Sequence, residues 1–131
     1  MTQTSLVLFG FLVFAGCQRD ETLTAYDTSA GAFTLQSIDG TPFSARVTID
    51  ISEPGKLSGD GPCNRYFASQ NVPYPWFEAG PIGATRMACP DLALETSYFT
   101  ALSEMEFAEL LGNTLLLTNE AGREMLFQAS P

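Results

Sequence analysis

NTLLLTNEAGREMLF, residues 113–127, sets two runs of alternating apolar residues on either side of a turn. Leu115 and Leu117 precede Asn119-Glu120-Ala121-Gly122, and Met125 and Phe127 follow it. A period of two sends every second side chain to one face, so each run reads as a strand with one face in a core, and the pair as a hairpin. Toward the N-terminus the rhythm recurs in Phe33 and Leu35, then in Val47, Ile49 and Ile51. Turn residues separate the runs at Asp39-Gly40-Thr41-Pro42, Glu53-Pro54-Gly55 and Gly112-Asn113, which predicts hairpins in an antiparallel meander. Residues 106–111, EFAELL, must pair as well if Gly112-Asn113 closes a hairpin, but Phe107 and Leu111 compete with Ala108 and Leu110 for the inward face and the phase stays open.

One segment departs from this rhythm. Between Asp91 and Met105, Leu94, Tyr98, Ala101, Leu102 and Met105 fall at steps of three and four, with Pro90 and Asp91 as a start, which predicts a single amphipathic helix. Residues 59–90 are rich in Gly and Pro, with room for short strands near Trp76–Glu78 and Ile82–Ala84. The expected fold is therefore mainly β: a small antiparallel sheet, curled or barrel-like, of about seven to eight strands with one packed α-helix.

The chain has 131 residues, with 15 Asp and Glu against 6 Lys and Arg, three cysteines and no histidine. Without imidazole there is no Ser-His-Asp or Cys-His nucleophile pair and no histidine-ligated zinc. A net charge of −9 disfavours a nucleic-acid partner, because phosphate binding relies on Lys and Arg. Charged residues are 16% of the chain and apolar ones 45%, a balance that permits a folded core.

Residues 6–16 read LVLFGFLVFAG, eleven uncharged positions ending in small residues before Cys17. The run is shorter than the roughly 20 residues of a spanning helix and has the length of a signal-peptide core. Phe14-Ala15-Gly16-Cys17 resembles a bacterial lipobox, which implies a signal peptide over residues 1–16 and lipidation of Cys17 as the mature N-terminus. In the sorting logic of such lipoproteins, Gln18 after the cysteine leans toward the periplasmic face of the outer membrane. Residues 17–32 follow as a polar tether with no clear period, able to reach about 50 Å at roughly 3.3–3.6 Å per residue. The domain itself is expected over residues 33–131.

With Cys17 assigned to lipid, Cys63 and Cys89 remain, and in an oxidising compartment a disulfide is the default reading; two unpaired buried thiols are the competing one. Two thiolates without histidine are a poor metal site.

Two blocks in the middle region are distinctive: Gly59-Asp60-Gly61-Pro62-Cys63-Asn64-Arg65-Tyr66 and Ala84-Thr85-Arg86-Met87-Ala88-Cys89, with Glu95 and Phe99 following on the helix. Together with residues 33–40 and Asn113-Thr114-Leu115-Leu116-Leu117, they resemble the META domain family and its HslJ-like envelope lipoproteins. Phe33 stands where that family often has Trp, and Pro62 is unusual before the cysteine. The resemblance implies a curled β domain with one helix and no established enzymatic activity, in proteins linked to heat shock, antibiotic tolerance, motility or secretion. Gly59, Asn64, Arg65, Tyr66, Thr85, Arg86, Met87 and Glu95 are the motif residues it singles out.

Read by their chemistry, Arg65 and Arg86 each follow or precede a cysteine closely, so a Cys63–Cys89 bridge would bring them together. As a cationic patch they would receive a phosphate, a lipid headgroup or an acidic peptide. As structural residues they would pair with Asp60 or Glu95 and pin the loops to the helix, the reading favoured by the abundance of acids.

The expected function is a non-catalytic envelope lipoprotein: an interaction or stress-tolerance module at the membrane, with a protein or small amphiphile as partner, and with no cofactor, metal or nucleic acid. The alternatives are a lipidated inhibitor of a basic secreted enzyme such as lysozyme, steered by charge, and an amphiphile-binding barrel lined by Tyr66, Phe67, Tyr74, Trp76, Phe77 and Phe99. A two-carboxylate glycosidase needs no histidine, but fifteen acids make some pair inevitable and the signal is nearly empty.

Overall fold

The structure, a computed structural model, describes Gly10 and residues 19–28 and 31–129. The expected signal peptide (apart from Gly10), Cys17 and Gln18 lie outside the described residues. Among the described residues no helix is long and apolar enough to cross a membrane.

Among the described residues nine strands form two antiparallel sheets with one α-helix. In the larger sheet β1 (Phe33–Ile38) lies beside β9 (Glu124–Ala129), which pairs with β8 (Thr114–Thr118) and through it with β7 (Phe107–Leu111). The other side of β1 takes β2 (Thr41–Pro42) at one end and β3 (Thr48–Ile49) at the other. The smaller sheet is β4 (Lys56–Asp60), β5 (Arg65–Ser69) and β6 (Gly83–Ala84). An Asp50–Ser58 bridge links the sheets, with backbone bonds of 2.7 and 3.2 Å, and a Trp76–Phe107 bridge ties the irregular segment after β5 to the edge of β7. The layers curl around a common core without closing into a barrel ladder.

The hairpins expected at residues 39–42, 112–113 and 119–122 form, but across Glu53-Pro54-Gly55 the strands lie in different sheets joined only by the Asp50–Ser58 bridge, and the meander is incomplete as a description. The pairing of β1 with β9 joins the two ends of the domain, and an extra residue, Gln36, sits in β1 where the register shifts between Leu35 and Ser37. Such a bulge bends the strand and strengthens its twist, which favours curling. The alternating residues all point inward: Phe33, Leu35, Val47, Ile49, Ile51, Leu115, Leu117, Met125 and Phe127 are buried. The phase of β7 resolves to Ala108 buried and Leu110 half-buried, with Leu111 exposed.

The helix α1 spans Leu92–Glu104. Its inward face is Glu95, Tyr98, Ala101 and Leu102, with Leu94 only half-buried, so a carboxylate takes the place expected for leucine. Asp91 occupies the N-cap position without a side-chain cap; its carbonyl accepts the Glu95 N–H at 3.0 Å.

Part of the tether expected over residues 17–32 is packed on the domain instead. Leu23–Tyr26 forms a 3-10 turn, and Leu23 is buried in the core. The Glu21 backbone carbonyl accepts the Tyr74 N–H at 2.8 Å, the Thr24 hydroxyl donates to the Ile51 carbonyl at 2.6 Å, and Tyr26 stacks on Tyr74 with centroids 4.5 Å apart. Residues 21–26 are thus docked on the domain. One apolar residue in a polar stretch carries no period, and Leu23 escapes a reading based on periodicity.

Candidate functional site

The two motif blocks meet at the N-terminal end of α1. Cys63 and Cys89 form a disulfide with Cα atoms 5.8 Å apart, joining the β4–β5 turn to the loop between β6 and α1. The turn is tight, with the Gly61 N–H donating to the Asn64 carbonyl at 2.8 Å. A Cβ on Gly61 would lie 2.7 Å from Glu95 Oε1, so the position must lack one for the helix carboxylate to reach the turn.

Glu95 and Asn64 organise the rest. Glu95 Oε1 accepts the backbone N–H groups of Cys63 and Asn64 at 3.2 and 2.8 Å, and Oε2 accepts Asn64 Nδ2 at 2.8 Å. Asn64 Nδ2 also donates to the Met87 carbonyl at 3.2 Å, while Oδ1 accepts the Thr85 hydroxyl at 3.0 Å and the Met87 N–H at 2.6 Å. All four hydrogen-bonding positions of this amide are filled. Both side chains are only 5% exposed. Buried polar groups are stable when satisfied this fully, and the network fixes both loops against the helix.

A second buried contact lies beneath. The Tyr66 hydroxyl is 2.7 Å from the Thr48 carbonyl and 2.6 Å from the Tyr98 hydroxyl. A carbonyl only accepts, so Tyr66 donates to Thr48 and Tyr98 donates to Tyr66. Burial pushes both phenols above the ordinary tyrosine range. Gly59 lies against the Thr48 carbonyl and the Tyr66 ring, leaving no space for a side chain.

The two arginines do not hold the helix. Arg65 meets Asp60 at 3.2 Å on the surface, with Arg46 approaching the same carboxylate at 4.0 Å. Exposed pairs of this kind contribute little, about 0–1 kcal/mol. Among the described residues Arg86 makes no ion pair and is exposed, as is Met87 at 64%. The pairing expected between Glu95 and an arginine is replaced by neutral donors from the turn. Replacing Arg86 with Ala is expected to leave the melting temperature within about 1–2 °C of the parent, as for surface substitutions generally; a drop beyond about 5 °C in a thermal melt would assign it a structural role.

One structural cation had no local signal in the sequence. Arg123, in the β8–β9 turn, binds Asp39 at 3.0 Å and Glu104 at 2.9 Å, joining the β1–β2 turn to the end of α1. The Glu124 N–H donates to Asp39 at 3.0 Å, and this bond, seconded by Arg123, holds the Asp39 carboxyl below its ordinary range. Asn119 donates from its amide to the Glu104 carbonyl at 3.2 Å, satisfying the helix C-terminus.

The six aromatics considered for an interior chamber divide. Tyr66 and Phe77 are buried in the core, Tyr74 and Phe99 pack against it, and Phe67 and Trp76 are exposed at 64% and 54%. Among the described residues no three acidic or cysteine side chains gather into a cation-binding group.

The META domain profile matches residues 23–131. No curated protein matches the chain. A protein from Burkholderia xenovorans solved by NMR has 24% identity over 82% of this chain and 86% of its own, with a TM-score of 0.62. A second NMR structure, also at 24% identity, covers 74% of this chain and 86% of its own with a TM-score of 0.57. At that identity the likeness establishes the fold. With the profile beginning at the docked Leu23 and including the Asn64–Glu95 junction, the chain belongs to the META domain family.

Proposed function

We propose that this chain is a non-catalytic envelope lipoprotein of the HslJ type, acylated on Cys17 and held at the periplasmic face of the outer membrane, where its domain acts as an interaction module in stress or antibiotic tolerance. The observation that carries the non-catalytic reading is the saturation of the motif site. Glu95 and Asn64, its buried polar side chains, bind each other, backbone groups and Thr85, leaving Asn64 no open valence for a substrate. A general acid or base needs a proton-accepting atom within reach of a substrate; Glu95 lines a surface depression with Asn64, Arg86 and Leu92, but it is 5% exposed and both of its oxygens are taken up by donors of the turn. The envelope reading draws on the run LVLFGFLVFAG before Cys17 and on the Cys63–Cys89 bridge, a feature of proteins that fold in oxidising compartments.

The test is metabolic labelling of the full chain with an alkyne-tagged fatty acid in a Gram-negative host, followed by fractionation. The parent is expected to carry label and sediment with outer membranes, whereas Cys17→Ser loses the label and at least about 90% of the membrane fraction, because one anchored residue supplies the binding. An unlabelled parent that distributes like Cys17→Ser overturns the reading.

A further inference from the structure

The docked N-terminal segment brings the proposed anchor close to a specific face of the domain. Glu21 is bonded to Tyr74 and lies only four positions after Cys17. Fully extended, four residues span about 14 Å at roughly 3.3–3.6 Å each. A lipid on Cys17 places that residue at the headgroup boundary, so Glu21 and the surface around it are confined to the first layer above the bilayer. The expected 50 Å tether would have let the domain stand well clear of the membrane; this leash keeps Glu21 within about 14 Å of Cys17.

That surface is aromatic. Tyr26, 50% exposed, stacks on Tyr74; two residues on, Trp76, 54% exposed, packs on Phe107 with centroids 5.2 Å apart. Trp76 opens onto a shallow groove with Val72, Pro73 and Phe77 on its walls and the carboxylates of Glu78 and Glu106 at its rim. Both glutamates are exposed. Trp and Tyr favour the headgroup layer, where an apolar ring and a polar edge are accommodated together. The two rim carboxylates are matched to an ammonium rather than to a phosphate, and an indole face adds attraction for the same cation.

Resting on the lipoprotein reading, we propose that the surface around Trp76 is a second membrane contact, with its indole seated in the headgroup layer of a bilayer rich in phosphatidylethanolamine and the lipid ammonium groups at Glu78 and Glu106. The anchor supplies proximity, and the face fixes orientation. The opposite side of the domain is then the side available to other envelope components.

Trp76 is the chain's only tryptophan, so its fluorescence reports on this face alone. The acylated full chain, its acylation verified by mass spectrometry, is reconstituted into phosphatidylethanolamine–phosphatidylcholine vesicles with and without acyl-brominated lipid. Expected are a blue-shifted emission, an acrylamide quenching constant lowered at least about threefold relative to Cys17→Ser in solution, and quenching by brominated lipid, as for an interfacial indole. Glu78→Lys, a surface change, is expected to reduce bromolipid quenching in these vesicles and to raise it when phosphatidylglycerol replaces half the lipid. If acylated protein shows an indole as open to acrylamide as in solution and untouched by brominated lipid, the membrane contact is overturned while the lipoprotein reading stands. An unacylated Cys17 removes both, and mass spectrometry tells the two failures apart.

Discussion

Replacing Glu95 with Ala is expected to destabilise the domain by about 3–5 kcal/mol, the range for removing one member of a buried, fully paired polar cluster. Three N–H donors lose their acceptor at once: the backbone groups of Cys63 and Asn64 and the Asn64 amide. None can turn to solvent without unmaking the β4–β5 turn. Glu95→Gln separates shape from chemistry. It keeps one oxygen for the backbone donors but sets an amide nitrogen against Asn64 Nδ2, a donor facing a donor. Asn64 cannot rotate to accept, because its Oδ1 already holds Thr85 and Met87. The expected loss for Glu95→Gln is about 1–3 kcal/mol, near one unsatisfied buried group. Urea denaturation followed by circular dichroism measures both, and a Glu95→Ala variant within about 1 kcal/mol of the parent would refute the network as the loop clamp.

This network also marks where the sequence ceased to be informative. Strand alternation identified the core because a half-buried strand has a period of two whatever its partner, and Phe33, Leu35, Leu115, Leu117, Met125 and Phe127 are all inside. The pairing of β1 with β9 spans nearly the whole domain and leaves no local trace. In α1, counting apolar positions selected Leu94, whereas the buried residue is Glu95, stabilised by donors 31 and 32 residues away in sequence. The two blocks contain the residues that meet at the junction and both cysteines of the bridge, but the partner that charge suggests for Glu95 is an arginine. What serves instead is backbone N–H, present at every residue and visible only once the turn is built. Arg123 reaches Asp39 across 84 positions, and no motif could have linked them.

The same distinction bears on function. Of the motif residues, Gly59, Asn64, Tyr66, Thr85 and Glu95 are engaged in building the junction, while Arg86 and Met87 present side chains the fold does not use. A family profile that includes this junction is therefore informative about architecture first. The features on which the proposed membrane contact rests, the short leash from Cys17 and the exposed Trp76, lie outside the two blocks.

Replacing Cys63 and Cys89 together with Ser is expected to remove about 3–4 kcal/mol, the chain-entropy value for a bridge between residues 26 apart. Against a total stability of about 5–15 kcal/mol for a domain of this kind, that is a large fraction. Thermal melts with and without a thiol reductant measure it, and a reduced protein as stable as the oxidised one within about 1 kcal/mol contradicts the expectation. Combination with Glu95→Ala is more informative than either change alone. The bridge and the Glu95–Asn64 pair hold the same two segments, the β4–β5 turn, bonded by Glu95, and the loop from Thr85 to Cys89, bonded by the Asn64 amide that Glu95 orients. With the bridge gone, Glu95 and Asn64 still keep the segments in place, so the loss comes mainly from the freer unfolded chain. With both gone, the loops also gain freedom in the folded state, which offsets part of the second loss. The combined destabilisation is therefore expected to fall short of the sum by about 1 kcal/mol, within the range for residues sharing one network. Strict additivity in this cycle would mean that the bridge acts on the unfolded chain alone and that the network needs no help in holding the junction closed.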